Sequence, residues 1–391
     1  MITPRTVNRS SRRRAFTLIE ILVVIALIGV LAGILLVAVG GATTAAKVAR
    51  TRSTMESLSA AIDAFTLEHG TLPGIVPVHM MHEGGSEGAN LTNTQNVLLH
   101  LLGGARVNVL DTDGNPLDPV LNAEFVRFRD SAVSEDGVEP IEFVLEDPDL
   151  NHQPIQYAVV VRMPRLGEGP WINGKQHPPY FSPKEHELLE RWGSGYDQDP
   201  DGEKGIAVTE GFTKLPDLVD AWGTPMMVFK KDRDTGPLLL GHGEHIGTPQ
   251  YRLNGVDRYL GAGRLGRGQA RQACHSSLPM QGSRLGLGGD DGERDYWLYL
   301  LLSHPSMAKQ TYFDDNTFMS ADDPRLGTSR GGYAMLSAGP DGIFLARLDG
   351  PRNDDGSPIE SDDFPLTGDE EWQDNYERLE PFDDVVMYGG S

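Results

Sequence analysis

The sequence predicts an α+β chain: a long N-terminal transmembrane and amphipathic helix packed on a small antiparallel sheet, with a large inserted lobe. Three observations predict it. Residues 15–46 run without Lys or Arg and hold a single charged side chain, Glu20. The stretch after them repeats apolar residues at helical spacing, and short apolar or alternating runs follow in a loop-rich chain with 46 Gly and 26 Pro.

The first element is the apolar run. About 20 such residues suffice to cross a bilayer as a helix, and Ile21 to Gly41 meets that length without another charge. An acid in lipid costs on the order of 2.5–3.5 kcal/mol at mid-membrane and less near the interface, so Glu20 marks function and calls for a partner. Arg5, Arg9, Arg12, Arg13 and Arg14 precede it, with no acid among the first 15 residues. By the positive-inside rule this end stays cytoplasmic and the bulk of the chain faces outward. An ordinary secretory signal fits less well, since its apolar region is only about 7–15 residues long with the cleavage site beyond it. Ser11 to Phe16 is also similar to a twin-arginine export signal, which is a receptor-read address and not an anchor. A plain membrane anchor is the remaining alternative.

The helix continues as an amphipathic stem over residues 42–69. Val48, Thr51, Met55, Leu58, Ile62 and Phe65 recur at spacings of three and four, leaving Lys47, Arg50, Arg52, Glu56 and Asp63 to other faces. His69-Gly70 followed by Leu72-Pro73-Gly74 stops it. From Phe16 to about Glu68 such a helix is roughly 80 Å long. Its second half presents an apolar stripe that needs a sheet to cover it.

Composition makes the rest an acidic head. The net charge is −22, from 34 basic and 56 acidic residues, and loss of the five leading arginines would deepen it. Nucleic acid is therefore an unsuitable partner, since phosphate binding needs a basic face. The single cysteine, Cys274, excludes an intrachain disulfide framework.

Arg12-Arg13-Arg14-Ala15-Phe16-Thr17-Leu18-Ile19-Glu20, running straight into the apolar helix, resembles the processing site of type IV prepilins and type II secretion pseudopilins. The resemblance implies cleavage between Ala15 and Phe16 by a prepilin peptidase, N-methylation of Phe16, and pairing of Glu20 with the Phe16 amine of a neighbouring subunit during assembly. Ala15 stands where the family most often has Gly; both are small, so cleavage should slow without being prevented.

Shorter islands extend the likeness to the major pseudopilin. Gln95 to Leu102 resembles its short second helix. Leu215 to Pro225 resembles the turn introducing its first head strand, here Met226 to Lys230. Gly332 to Gly342 resembles its second strand and following loop, and Asp383 to Tyr388 its closing acid pair and last strand. The division expected is a leader at 1–15, an N-terminal helix at 16–70 (membrane 21–41, stem 42–69), the start of the head with an inserted lobe at 71–214, and the head sheet at 215–391, itself interrupted at 231–331 and 343–382.

Within the insertions, Ile141 to Leu145 and Ile155 to Val161 read as strands. Ser182-Pro183-Lys184-Glu185 reads as a capping box opening a short helix to Trp192. Tyr296 to Leu302 is one further helix candidate. The two inserted regions are expected to form a second lobe together.

The resemblance also implies a calcium site joining the loop after the second strand to the terminal acid pair, carried here onto Ser337, Asp341, Asp383 and Asp384. Forty residues, 343–382, with 12 acids and three basic residues, intervene where the family has a short loop. A second calcium candidate comes from the residues themselves: Asp197, Asp199 and Asp201, followed by Gly202, match the first half of an EF-hand loop. Its twelfth position is Val208, and Glu210 arrives two residues late, so an acidic turn competes. Asp111, Asp113, Asn115 and Asp118 form a weaker version of the pattern.

Enzyme motifs lack context. Gly84-Gly85-Ser86-Glu87-Gly88 has no strand leading into it, and Gly261 to Gly266 has no βαβ setting. His79-Met80-Met81-His82-Glu83 suits a soft metal or a polar loop. Arg258, Arg264, Arg267 and Arg271 make a local basic strip, open to an acidic neighbour or to solvent. The reading is a filament subunit and not an enzyme. Its implied partners are itself or other pseudopilins, the prepilin peptidase and an inner-membrane platform; it is a single-pass inner-membrane protein with a periplasmic head that then joins a filament. The alternative is a membrane-anchored, calcium-dependent binding or adhesion module on the same stem.

Overall fold

The structure is a computed structural model that describes residues 18–81, 91–111, 113–135, 138, 140–146, 156–189, 215, 217–236, 238–239, 249–253, 255–256, 283–285, 291–304, 329–352, 355–357 and 379–390. It divides into two units, Met1–Lys47 and Val48–Ser391. The described part of the first is the opening of helix α1 (Leu18–His69). Its large apolar side chains, from Leu18 to Val39, are exposed wherever they are described, and α1 is long and apolar enough to cross a membrane.

The second unit is built on the stem. Thr51, Met55, Leu58, Ile62 and Phe65 are buried and Val48 packs beside them, so the six stripe residues lie on the covered face. Gly70 ends the helix with φ +74 and donates its N–H to the Thr66 carbonyl, the left-handed C-terminal stop that glycine provides.

The sheet that covers the stem is β8 (Met227–Lys230), β9 (Tyr333–Ser337) and β10 (Val385–Gly389), antiparallel with β9 in the centre. Because side chains alternate along a strand, Val228, Tyr333, Met335 and Val385 face the stem, while Met227, Phe229, Ala334 and Leu336 face away. That second face is not open. Helix α4 (Asp291–Leu302) lays Trp297, Leu298, Leu301 and Leu302 on it. Burial on both faces explains why β9 reads Tyr-Ala-Met-Leu-Ser with no exposed position.

Helix α2 (Asn93–Leu102) begins with a capping box: Gln95 N–H donates to Thr92 Oγ1 and Thr92 N–H to Gln95 Oε1, each at 3.1 Å. Thr94 then ties it to the edge of the sheet, donating to the Met226 carbonyl and accepting from Val228 N–H.

The first insertion folds as a second antiparallel sheet of β1 (Ala105–Leu110), β2 (Ile141–Glu146) and β3 (Gln156–Val161), with β3 central. One face, with Ile141, Phe143, Leu145, Val159 and Val161, packs on Leu99 of α2 and on Val76, Val78, Met80 and Met81. The other, with Ala158 and Val160, carries α3 (Pro119–Glu135) through Phe125 and Phe128.

Three expectations change. Among the described residues the two insertions contribute to different cores: the first builds this sheet, whereas α4 of the second belongs to the core on the far face of the main sheet. Of the helix expected from Ser182 to Trp192, the described residues form instead a single 3-10 turn, Glu185–Glu187, followed by strand β6 (Leu188–Leu189) paired with β7 (Asp217–Leu218), and residues 190–192 lie outside the described residues. The Glu187 carboxylate accepts Lys184 N–H and the Thr54 hydroxyl, and Leu188 packs in the stem core, so tertiary contacts override the helix signal. Helix α3 was not expected at all.

Candidate functional site

Two regions carry chemistry, and the first is the start of α1. Glu20 lies in its first turn and is exposed, as are the apolar side chains around it. Ala15 and Phe16 lie outside the described residues. A carboxylate near the N-terminus of a helix is stabilised by the unsatisfied N–H groups there, which offsets part of its cost in an apolar segment.

The second region is the loop that follows β9. Gly339 and Gly342 take φ of +63 and +72, turning the chain sharply around Asp341. A Cβ on Gly339 would sit 2.5 Å from the Asp383 carbonyl oxygen, so the loop presses directly on the segment leading into β10. Asp341 Oδ1 accepts the Ile343 N–H at 2.8 Å. The chain then folds back to bring Asp349 beside them. Carboxylate oxygens of Asp341, Asp349 and Asp383 all lie within 4.8 Å of one another.

The electrostatics of this cluster are unfavourable without a cation. Burial first, and then the charges of Asp341 and Asp349, push the Asp383 carboxyl up to about 7. Asp383 Oδ1 is buried with no hydrogen-bond partner. Asp384 is partly buried, and its desolvation holds its carboxyl well above the usual range despite the hydrogen bond from Leu345 N–H to its oxygens. Leu345 itself takes φ +43, a strained conformation for a branched residue, where this bond holds it.

The structure therefore brings together Asp341 and Asp383 of the four residues carried over from the resemblance, and adds Asp349. Asp384 sits beneath the cluster, turned to Leu345. Ser337 is directed elsewhere: its hydroxyl donates to Asp220 Oδ2 at 2.7 Å, while Asp220 Oδ1 accepts Trp222 and Thr224 N–H in the turn before β8. A carboxylate set with a buried, unpartnered oxygen fits a hard cation that takes oxygen ligands, and calcium takes six to eight.

The other candidates resolve differently. Asp197, Asp199 and Asp201 lie outside the described residues, as do Cys274, Ser86, Gly261 to Gly266 and the strip Arg258, Arg264, Arg267 and Arg271. Asp111 closes a turn, its Oδ1 accepting Asp113 and Asn115 N–H. Asp118 caps α3, its Oδ1 accepting Val120 and Leu121 N–H. Met80 and Met81 are core residues, which removes them from the expected soft-metal group; His82 and Glu83 are outside the described residues.

Comparison with known families places residues 10–36 in the prokaryotic N-terminal methylation motif, the prepilin-type signal of type IV pilins and pseudopilins. Comparison with curated proteins and with solved structures gave no match. The matched residues cover the prepilin-type signal and the opening turns of the apolar helix α1.

Proposed function

We propose that this chain is a structural subunit of a type II secretion pseudopilus or type IV pilus-like filament. The observation that carries the reading is the methylation motif at residues 10–36 running into the exposed apolar opening of α1, whose later turns form the stem of a folded head. Prepilin peptidase cuts between Ala15 and Phe16 on the cytoplasmic face of the inner membrane. The new Phe16 amine is methylated and pairs with Glu20 of a neighbouring subunit, while the head faces the periplasm. Helices of several subunits then bury their apolar surfaces together. The test is Glu20→Ala combined with mass spectrometry of the mature N-terminus. The variant should insert in the membrane as well as wild type, since a charge has been removed from lipid, yet enter filaments poorly. A mature chain beginning near Ala46, or a variant that assembles normally, overturns the reading.

Calcium at Asp341, Asp349 and Asp383 belongs to the same proposal. When bound it supplies positive charge that neutralises three converging carboxylates. The chain's contribution is to bring the loop after β9, the acidic insertion and the lead-in to β10 to one point. This would let the end of the chain be fastened in a protein without a disulfide framework. The same cluster is what favours the second reading, a calcium-dependent binding module displayed on the stem; glycan or ligand capture by the head, lost on chelation, would support it.

A further inference from the structure

A second set of metal-ligating side chains lies where the stem ends. Glu68 and His69 occupy the last turn of α1, and His177 follows β5 (Lys175–Gln176), the partner of β4 (Trp171–Ile172) in a two-stranded hairpin. One ligand atom from each of Glu68, His69 and His177 lies within 4.8 Å of the other two. We propose that these three residues bind a late first-row divalent cation, zinc being the most fitting, and so fasten the end of the stem helix to the hairpin of the head.

The donor set selects the metal. Two imidazoles and one carboxylate are a zinc combination, and a poor one for calcium or magnesium, which take oxygen. Zinc binds such ligands at about 2.0–2.2 Å, which in a tetrahedron separates two donor atoms by roughly 3.4 Å. The observed spacing of up to 4.8 Å is about 1.4 Å wider than that, so binding would draw the side chains together. His177 Nδ1 already lies 3.2 Å from Glu68 Oε1.

The surroundings are those of a supported site. Tyr180 donates its hydroxyl to Glu68 Oε2 and lies 2.9 Å from His69 Nε2, so one side chain orients two of the three donors, as outer partners of metal ligands do. The His69 ring also packs on Phe65, at 4.5 Å between centroids, and crosses the His177 ring at 5.0 Å. The hairpin is itself fixed, because His177 N–H donates to the Pro170 carbonyl and Tyr180 N–H to the Leu101 carbonyl at the end of α2. His177 is largely buried whereas Glu68 is half exposed, which leaves a route for the ion and a place for a water as fourth ligand.

The consequence is mechanical. A cation here would join residues 68–69 to residue 177, closing a loop of more than a hundred residues that includes the whole inserted sheet. It would brace the stem against the head at the end opposite the apolar membrane segment of α1.

The experiment titrates zinc into the full chain in detergent micelles, with calcium in excess to occupy the acidic cluster, and repeats it with Co2+ to read coordination from its visible absorption. One zinc per chain should bind, and Co2+ should give the intense spectrum of a four-coordinate ion. His177→Ala, His69→Ala and the half-exposed Glu68→Gln should each weaken binding at least tenfold, while His79→Ala changes nothing. The Glu68 variant keeps a hydrogen-bonding side chain and guards against loss of fold in the histidine variants. No zinc bound at micromolar concentration, a six-coordinate cobalt spectrum, or affinity indifferent to Glu68→Gln and His177→Ala overturns the proposal.

Discussion

If calcium occupies Asp341, Asp349 and Asp383, replacing Asp349 by Asn should stabilise the head without the ion and remove most of the stabilisation that the ion brings. With carboxylate oxygens within 4.8 Å of each other, two like charges repel by about 1 kcal/mol in water and by roughly 3.5 kcal/mol at an effective dielectric near 20. The cluster is half-buried, so the true figure lies between. Because Asp383 keeps its proton up to about pH 7, Asp349→Asn in chelator removes in effect one repulsion, that with Asp341, and should stabilise the head by about 1–3 kcal/mol. In calcium the wild type gains about 2.7 kcal/mol at a hundredfold excess over Kd, and the variant forfeits most of that. Unfolding entropy of roughly 2 cal/mol/K per residue over the unit Val48–Ser391 gives about 0.7 kcal/mol per degree. Calcium should then raise the wild-type Tm by about 4 °C, and the variant should melt above wild type in chelator while calcium shifts its own Tm by much less. Differential scanning fluorimetry of the full chain in micelles reads both. A Tm indifferent to calcium and chelator removes the ion from the account; a full calcium response retained by the variant and by Asp341→Ala moves it to the loop at Asp197, Asp199 and Asp201.

Further outcomes follow from packing and titration. Phe65→Ala empties a fully buried site in the stem core and should cost about 3–5 kcal/mol, read by urea unfolding of the head. In chelator, stability should fall as pH rises from about 4 towards 8: Asp383 is raised to about 7 in the fold, so the folded state keeps a proton that the unfolded chain releases near pH 4, and its contribution is lost as pH passes the folded value. Excess calcium should flatten that slope, which urea melts at pH 5 and pH 8 compare. Asp118→Ala removes the N-terminal cap of α3 and should cost about 1 kcal/mol, seen as faster hydrogen exchange in the first turn of that helix with the stem unchanged.

Legibility in the sequence tracked how far each element depends on local pattern. The stem was readable because five of the six residues at spacings of three and four pack in one core and the sixth, Thr51, is buried beside them on the same face. Strands β8, β9 and β10 were readable as apolar runs next to turn residues, with β8 starting one residue later than expected. Helix α3 was not, because only Phe125 and Phe128 among its described side chains are buried and its cap, Asp118, reads equally as an acidic turn. Asp349 was one acid among twelve in its insertion. What singles it out is the fold-back that brings Gly350 against Phe382, where a Cβ would lie 2.7 Å from the ring. The bond from Ser337 to Asp220 was not legible, because the two residues lie 117 positions apart in sequence.

The apolar stripe alone would not fix where the head sits on its stem. A ridge of apolar residues at helical spacing offers similar packing after a slip of one turn, about 5.4 Å. Three polar contacts remove that freedom. Thr51 Oγ1 accepts the Ala221 N–H, Thr54 donates to the buried Glu187 carboxylate at 2.9 Å, and the Tyr333 hydroxyl, central in the sheet, meets Ser59 and Asp63. A one-turn slip would strand Glu187 without the Thr54 hydroxyl, and leaving a buried charge without its partner is strongly destabilising. Threonine at 51 and 54, on an otherwise apolar face, therefore exchanges some burial energy for a single register. In a filament of the kind proposed, where neighbours would recognise the helix, that exchange would make the position of every head follow from the stem residues to which it is bonded.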